Sequence, residues 1–406
     1  MTRILCLAGA VALLAACTDQ TLKVCDITQP DCQQEVYYGD LRLRGDGYDP
    51  FAGIPPIRTI DTTQFRKELE DQAQAAAAAA QNQAPTPWVD EGLFLLGLVS
   101  STTDTQGDSI DNQVSNTAAY YSPETRDVTV IAHPELNVDA RSNMQTLAHE
   151  LVHAMQDREI DLDLNPQTTD EYFANKALIE GDATFYGLLF EYNIPLPAGG
   201  RFNYPNPQAY LLAMRDGMMS DQGDPTSNFA SLGPPYYAVP WLVYPLGGLW
   251  IADHWTKGGN AAVRHSYGSA PKRSLDYVLG PGVASPAGTD ICAPAAPTGF
   301  SAKIADSFGA AFFFGYLMAW KVPSADSLST AQLWRNDAIL IYYNQATQKT
   351  AVAWRIELGS PLSDSLLATL NTAAGPRVVQ TGATLMITAS DDSALLATWN
   401  PGVTCR

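Results

Sequence analysis

Two histidines one helical turn apart with a glutamate between them, His149-Glu150-Leu151-Val152-His153, constrain this chain more than any other stretch. On a helix the i, i+4 spacing sets both imidazoles on one face with the carboxylate beside them, the geometry of a zinc site that carries its own base. With only 5 His in 406 residues, composition alone delivers the pattern on the order of two times in a thousand. The preceding residues agree with a helix: Asp139 is a cap-type residue and neither Gly nor Pro follows it through Ala148. Met144, Leu147, Ala148, Leu151, Val152 and Met155 recur at helical spacing, so a buried helix is expected to run to about Asp157.

A catalytic zinc usually keeps three protein ligands and one open position, so a third ligand is required. A metzincin would place Gly at 156 and His or Asp at 159; this chain has Gln156 and Glu159. The better candidate is Glu180, on a second predicted helix spanning Thr169 to Tyr186 and beyond, where it shares a face with Phe173, Ala177, Thr184 and Leu188. A carboxylate among apolar neighbours needs a partner. Zinc is one; Lys176, four residues back, is the other. Asp157, one turn after His153, is a candidate to orient a ligand imidazole.

His-Glu-x-x-His followed by a glutamate on a second helix resembles the gluzincin metallopeptidases. More narrowly, Thr146-Leu147-Ala148-His149-Glu150-Leu151-Val152-His153-Ala154-Met155-Gln156-Asp157 followed by Ala177-Leu178-Ile179-Glu180-Gly181-Asp182-Ala183-Thr184 is similar to a family of bacterial and archaeal metallopeptidases. Where thermolysin-like members carry an acid four positions after the glutamate, this chain has Thr184. The resemblance implies an α+β, zincin-like fold with a mostly helical core, an active-site helix and a small mixed or antiparallel sheet. It implies one Zn2+ on His149, His153 and Glu180, Glu150 as general base, and a peptide or protein substrate. An oxyanion donor is also needed, for which Tyr244, Tyr237, His254 and His265 are candidates. Tyr244 ranks first because it opens a family-like Tyr-Pro-x-Gly segment.

Met1-Thr2-Arg3 is a short basic start, Ile4 to Ala16 is apolar, and Leu14-Ala15-Ala16-Cys17 closes the segment. Residues 1–16 are therefore expected to be a signal peptide. Its ending resembles the bacterial lipobox, which implies lipidation of Cys17 and an extracytoplasmic, membrane-anchored protein, and Thr18 implies the outer membrane in a cell that has one. Cys25, Cys32, Cys292 and Cys405 then form two disulfides in an oxidising compartment. Pairing Cys25 with Cys32 and Cys292 with Cys405 is preferred, since it closes a short loop and pins the C-terminus. A net charge of −19 argues against nucleic-acid binding.

Residues 17–60, rich in Asp, Gly, Pro and Gln, read as a flexible tether, and 61–406 as one metallopeptidase-like domain with a possible subdivision near 200–235. A helix over 62–84 holds the alanine run, Glu91 to Ser100 reads as a strand, and Ala118–Tyr121 with Val128–Ile131 as a hairpin. That hairpin either offers an edge to an extended substrate or is purely structural. Helical pieces are expected to flank Gly247-Gly248, the second ended by Gly258-Gly259, a buried helix to span Phe308 to Trp320, and a hairpin to join Ala338–Tyr343 with Ala351–Glu357 before a helix at 363–373. The alternative function comes from another class: a degenerate or non-catalytic metal-binding lipoprotein whose aromatic C-terminal half binds a partner or glycan.

Overall fold

The computed structural model describes residues 22–45, 53–79, 87–100, 105–132, 140–160, 162, 165–196, 200–221, 228–372 and 375–404. The signal segment and Cys17 lie outside them. Helix α1 (Pro30–Arg44) starts on a proline, which suits a first helical position because its missing N–H would be unpaired there anyway. Strand β1 (Ile57–Asp61) leads into α2 (Thr62–Ala79), which carries the alanine run, and α3 (Pro87–Leu95) and α4 (Thr105–Asn116) follow. Strands β2 (Ala119–Ser122) and β3 (Asp127–Ala132) form the expected hairpin. Next come the two long helices α5 (Ala140–Glu159) and α6 (Thr169–Asn193), the latter capped by the Thr168 hydroxyl, which accepts from Glu171 N.

The second half continues through α7 (Pro207–Met218), the single turn α8 (Pro235–Ala238), α9 (Val243–Tyr267) and α10 (Ser274–Leu279). A short strand β4 (Ala293–Pro294), β5 (Ser301–Asp306), α11 (Gly309–Ala319) and α12 (Ser324–Ala331) precede the long hairpin β6 (Trp334–Asn344) and β7 (Lys349–Leu358). The chain ends with α13 (Asp364–Thr372), β8 (Arg377–Thr381), β9 (Thr384–Ser390), α14 (Ser393–Thr398) and β10 (Val403–Thr404). The architecture is mixed α+β. One sheet, ordered β1-β3-β2, pairs β1 parallel and β2 antiparallel to β3; a second, fully antiparallel, is ordered β5-β6-β7-β9-β8, so the predicted hairpin is the centre of something larger. β4 and β10 form a separate short ladder.

The main hydrophobic cluster joins α3, α6, α9 and α11 to the inner face of the five-stranded sheet, through side chains such as Phe173, Leu249, Phe313 and Trp354. Within it α6 and α9 cross at two glycines. A methyl group on Gly247 would stand 1.7 Å from the Ala177 carbonyl oxygen, and one on Gly181 would stand 2.2 Å from the Gly247 carbonyl carbon. Backbone therefore packs directly on backbone, which no other residue at either position permits. No helix among the described residues is long and apolar enough to cross a membrane.

Three expectations are corrected. Residues 17–60 do not form one structureless tether: Leu22 and Ile27 are buried, and α1 sets Cys32, Val36 and Tyr37 against Met144, Leu147 and Leu151 of α5 and Phe190 of α6. The stretch Glu91 to Ser100 is not a strand; α3 runs to Leu95, and Leu93 within it and Leu96 just after it are buried. Gly247 and Gly248 do not separate two helical pieces, since α9 passes straight through them. It kinks at Gly258-Gly259, the expected end of the second piece, where both residues leave the helical region. Cys25 and Cys32 are bonded as expected. Cys292 is also disulfide-bonded, and its expected partner Cys405 lies outside the described residues.

Candidate metal centre

Helices α5 and α6 lie against one another and bring His149, His153 and Glu180 to one point. His149 Nε2, His153 Nε2 and Glu180 Oε2 form a triangle with three sides of 3.2 Å. Nitrogen and oxygen ligands about 2.1 Å from a tetrahedral zinc stand about 3.4 Å apart, so the triangle fits such an ion with one position left open. The group can hold a metal ion. Glu180 Oε2 faces the imidazoles, while Lys176 Nζ, one of its two predicted partners, sits 3.5 Å from Oε1.

The charges converge as the donor set requires. Burial opposes a proton on His153, yet the charge and hydrogen bond of Glu180, with Glu150 nearby, raise its pKa to about 9. Burial likewise opposes the Glu180 charge, but the two imidazoles hold its carboxyl well below the usual range. A divalent cation satisfies the same lone pairs in place of the proton.

Gln156 fixes the His153 ring. Its amide nitrogen donates to Ile179 O at 3.0 Å and to Asp182 Oδ2 at 2.8 Å, so its Oε1 must be the atom 2.8 Å from His153 Nδ1. Nδ1 is then the protonated nitrogen, and a neutral ring keeps the Nε2 lone pair for a metal. Asp182 is wholly buried; its Oδ2 accepts from Arg44 Nη1 at 2.7 Å and from the Tyr267 hydroxyl at 2.6 Å as well.

Asp157, the sequence candidate for this orienting role, instead accepts from the Tyr121 hydroxyl at 2.9 Å and pairs with Arg126. The Thr184 hydroxyl is buried and has no hydrogen-bond partner among the described residues. Gln156, Asp182, Tyr267 and Arg44 were not legible as site residues. The available signal was Gln156 three positions after His153, on the same helical face, and Asp182 two positions after Glu180.

Glu150 is nearly buried, and its charge acts on both His153 and Tyr244. Tyr244 lies with its ring centroid 6.0 Å from that of His149 and stacks on Trp241. The charge of Glu180, then burial, then Glu150 hold its hydroxyl well above the ordinary tyrosine pKa, so it stays a donor. A cleft of about 690 Å³ opens beside Glu180 and Tyr244, walled by Tyr172, Tyr236, Tyr237 and Trp241. His254 turns away, its Nδ1 donating to the Trp250 carbonyl at 2.9 Å, and neither it nor His265 lines the cleft. Tyr244 and Tyr237 are thus the two oxyanion candidates that reach it. Comparison with protein-family models, with curated proteins and with solved structures finds no match for this chain.

Proposed function

We propose that the chain is a zinc-dependent peptidase of gluzincin type with a zincin-like fold, held outside the cytoplasm by a lipid on Cys17. The single observation that carries the reading is the triangle of His149 Nε2, His153 Nε2 and Glu180 Oε2 with sides of 3.2 Å, flanked by the carboxylate of Glu150. Two imidazoles and one carboxylate are a donor set suited to zinc, and three protein ligands leave the open position that a catalytic site requires.

Zinc held there would polarise a substrate carbonyl and lower the pKa of attacking water towards about 7. Glu150 takes the proton that the water sheds and delivers it to the leaving amine. The Tyr244 hydroxyl, kept protonated by its acidic neighbours, donates a hydrogen bond to the oxygen on which charge develops. Lys176 lies beside Glu180 Oε1, so Oε2, the atom facing the imidazoles, would be the one to hold the metal. The aromatic walls of the cleft limit water around the scissile bond, and a cleft of about 690 Å³ has room for a short extended peptide segment.

Metal content and hydrolysis of a peptide library by the purified protein test the reading together. About one zinc per chain is expected, and Glu150→Gln should retain zinc and fold while losing about a thousandfold or more in rate, because the general base is gone. Wild-type protein that holds zinc and cleaves no peptide would sink the peptidase reading.

A further inference from the structure

We propose that the N-terminal helix completes the metal centre, with Arg44 as a positioning residue that acts through Asp182 and Gln156 to hold His153 in its metal-ligating orientation. The inference rests on the metal-site reading above but does not depend on hydrolysis. Four links carry it. His153 Nδ1 meets Gln156 Oε1 at 2.8 Å, Gln156 Nε2 meets Asp182 Oδ2 at 2.8 Å, and that same oxygen meets Arg44 Nη1 at 2.7 Å and the Tyr267 hydroxyl at 2.6 Å. Asp182 and Arg44 are 0 % and 1 % exposed, so water does not substitute for either.

The direction of control follows from hydrogen-bond bookkeeping. Gln156 keeps its amide nitrogen inward because a buried anion and a backbone carbonyl wait for it there. Asp182 is held in place by the Arg44 guanidinium, which pairs with its Oδ2 at 2.7 Å where both side chains are buried. Weaken that pairing and the reason for one amide orientation weakens with it. A flipped Gln156 would present its NH2 to Nδ1, force Nδ1 to accept, and move the ring proton to Nε2, the atom that the metal needs. Arg44 thus acts three residues removed from the metal.

Its own position is secured from three sides. The guanidinium lies over the Tyr186 ring at 4.5 Å, Asn260 Nδ2 donates to Leu43 O at 2.8 Å, and Arg264 Nη1 donates to Arg44 O at 3.3 Å. Asn260, Arg264 and Tyr267 all follow the Gly258-Gly259 kink, and the segment beyond it meets the end of α1 through Asn260 and Arg264, and Asp182 through Tyr267. Asn260 also receives the Tyr186 hydroxyl at 2.6 Å, which ties the clamp to α6.

A double-mutant cycle on zinc affinity decides the matter, using the full chain, chelator competition, and the visible spectrum of the cobalt-loaded protein. Arg44→Lys keeps the buried charge balanced but loses the planar fork. It should weaken zinc binding about tenfold and shift the cobalt bands, with the thermal midpoint of the metal-free protein close to wild type. Gln156→Met should weaken binding at least as much. In the Gln156→Met background Arg44→Lys should have no further effect, because its route to His153 is already cut. Additive losses, or an Arg44→Lys protein with wild-type affinity and spectrum, would overturn the proposal while leaving the metal site intact. Should Arg44→Lys not fold, Tyr267→Phe, which removes the hydroxyl that donates to the same Asp182 oxygen, replaces it in the same cycle with the same outcomes. Wild-type protein that binds no zinc would overturn both the site and this inference, whereas zinc binding without peptide hydrolysis would remove only the peptidase.

Discussion

Asp170 is a carboxyl group that the fold keeps largely protonated well above the usual carboxylate range. Burial is the main cause; the Ser274 hydroxyl and amide, which both donate to Oδ1, offset only part of it, and Asp337 nearby adds repulsion, raising the pKa to about 7. Asp337 faces the same burial but is met by the amides of Phe308 and Gly309, the Ser307 hydroxyl and two indole N–H groups. The unfolded chain releases the Asp170 proton near its ordinary value of 3.8. Between about pH 4 and 7 the native state therefore binds more protons than the unfolded state, and stability from this group falls as pH rises through that window. The expected loss is about 4 kcal/mol at most. Asp170→Asn keeps an Oδ1 acceptor for Ser274 and does not ionise, so urea unfolding should find it gaining on wild type from pH 4.5 to pH 7. A wild-type-minus-variant difference that stays flat over this range would refute the assignment.

At the scale of elements, the crossing of α6 on α9 sets the distance between Glu180 and Tyr244, because Gly181 and Gly247 are the contact and each is close in sequence to one of them. Gly247→Ala should force the helices apart, costing about 3 kcal/mol or more, and should also weaken metal binding as Glu180 moves with α6. Calorimetry and metal titration check the two effects; an unchanged melting temperature would show that the helices tolerate a methyl there. The same elements show what a sequence displays and what it conceals. The α5 helix and its ligands were readable because the chemistry and the hydrophobic period lie in one short segment. Glu180 was readable because an acid on an apolar helical face demands a partner. α3 was not, since Leu93-Phe94-Leu95-Leu96 is an apolar run whose length suits a strand as well as a buried helix. α1 was hidden for a different reason. Its few apolar residues find partners more than a hundred positions away, and its buried Arg44 answers to Asp182 at a separation of 138 residues. Gln156 and Asp182 escaped notice because an orienting residue is defined by what it touches, and only its ligand carries a motif.

For the whole molecule, anchoring is the property to test, since it sets where any activity takes place. With a lipid on Cys17, the protein should partition with membranes and resist salt extraction. Cys17→Ser should release it while zinc binding is retained, because that cysteine belongs neither to the ligand set nor to the disulfide of Cys25 with Cys32. Fractionation of cells expressing each form, followed by metal analysis, checks both; wild-type protein recovered free of membranes would refute the anchor.

The burial of Leu22 gives the anchor a mechanical meaning. Only five peptide steps separate Cys17 from a side chain locked into the folded body, and five steps span at most about 18 Å. A lipid at Cys17 would therefore act as a short mooring and not as a long leash. The folded body would ride within a few water layers of the headgroups, restricted in its tilt, and any molecule it acts on would have to come to the membrane surface itself.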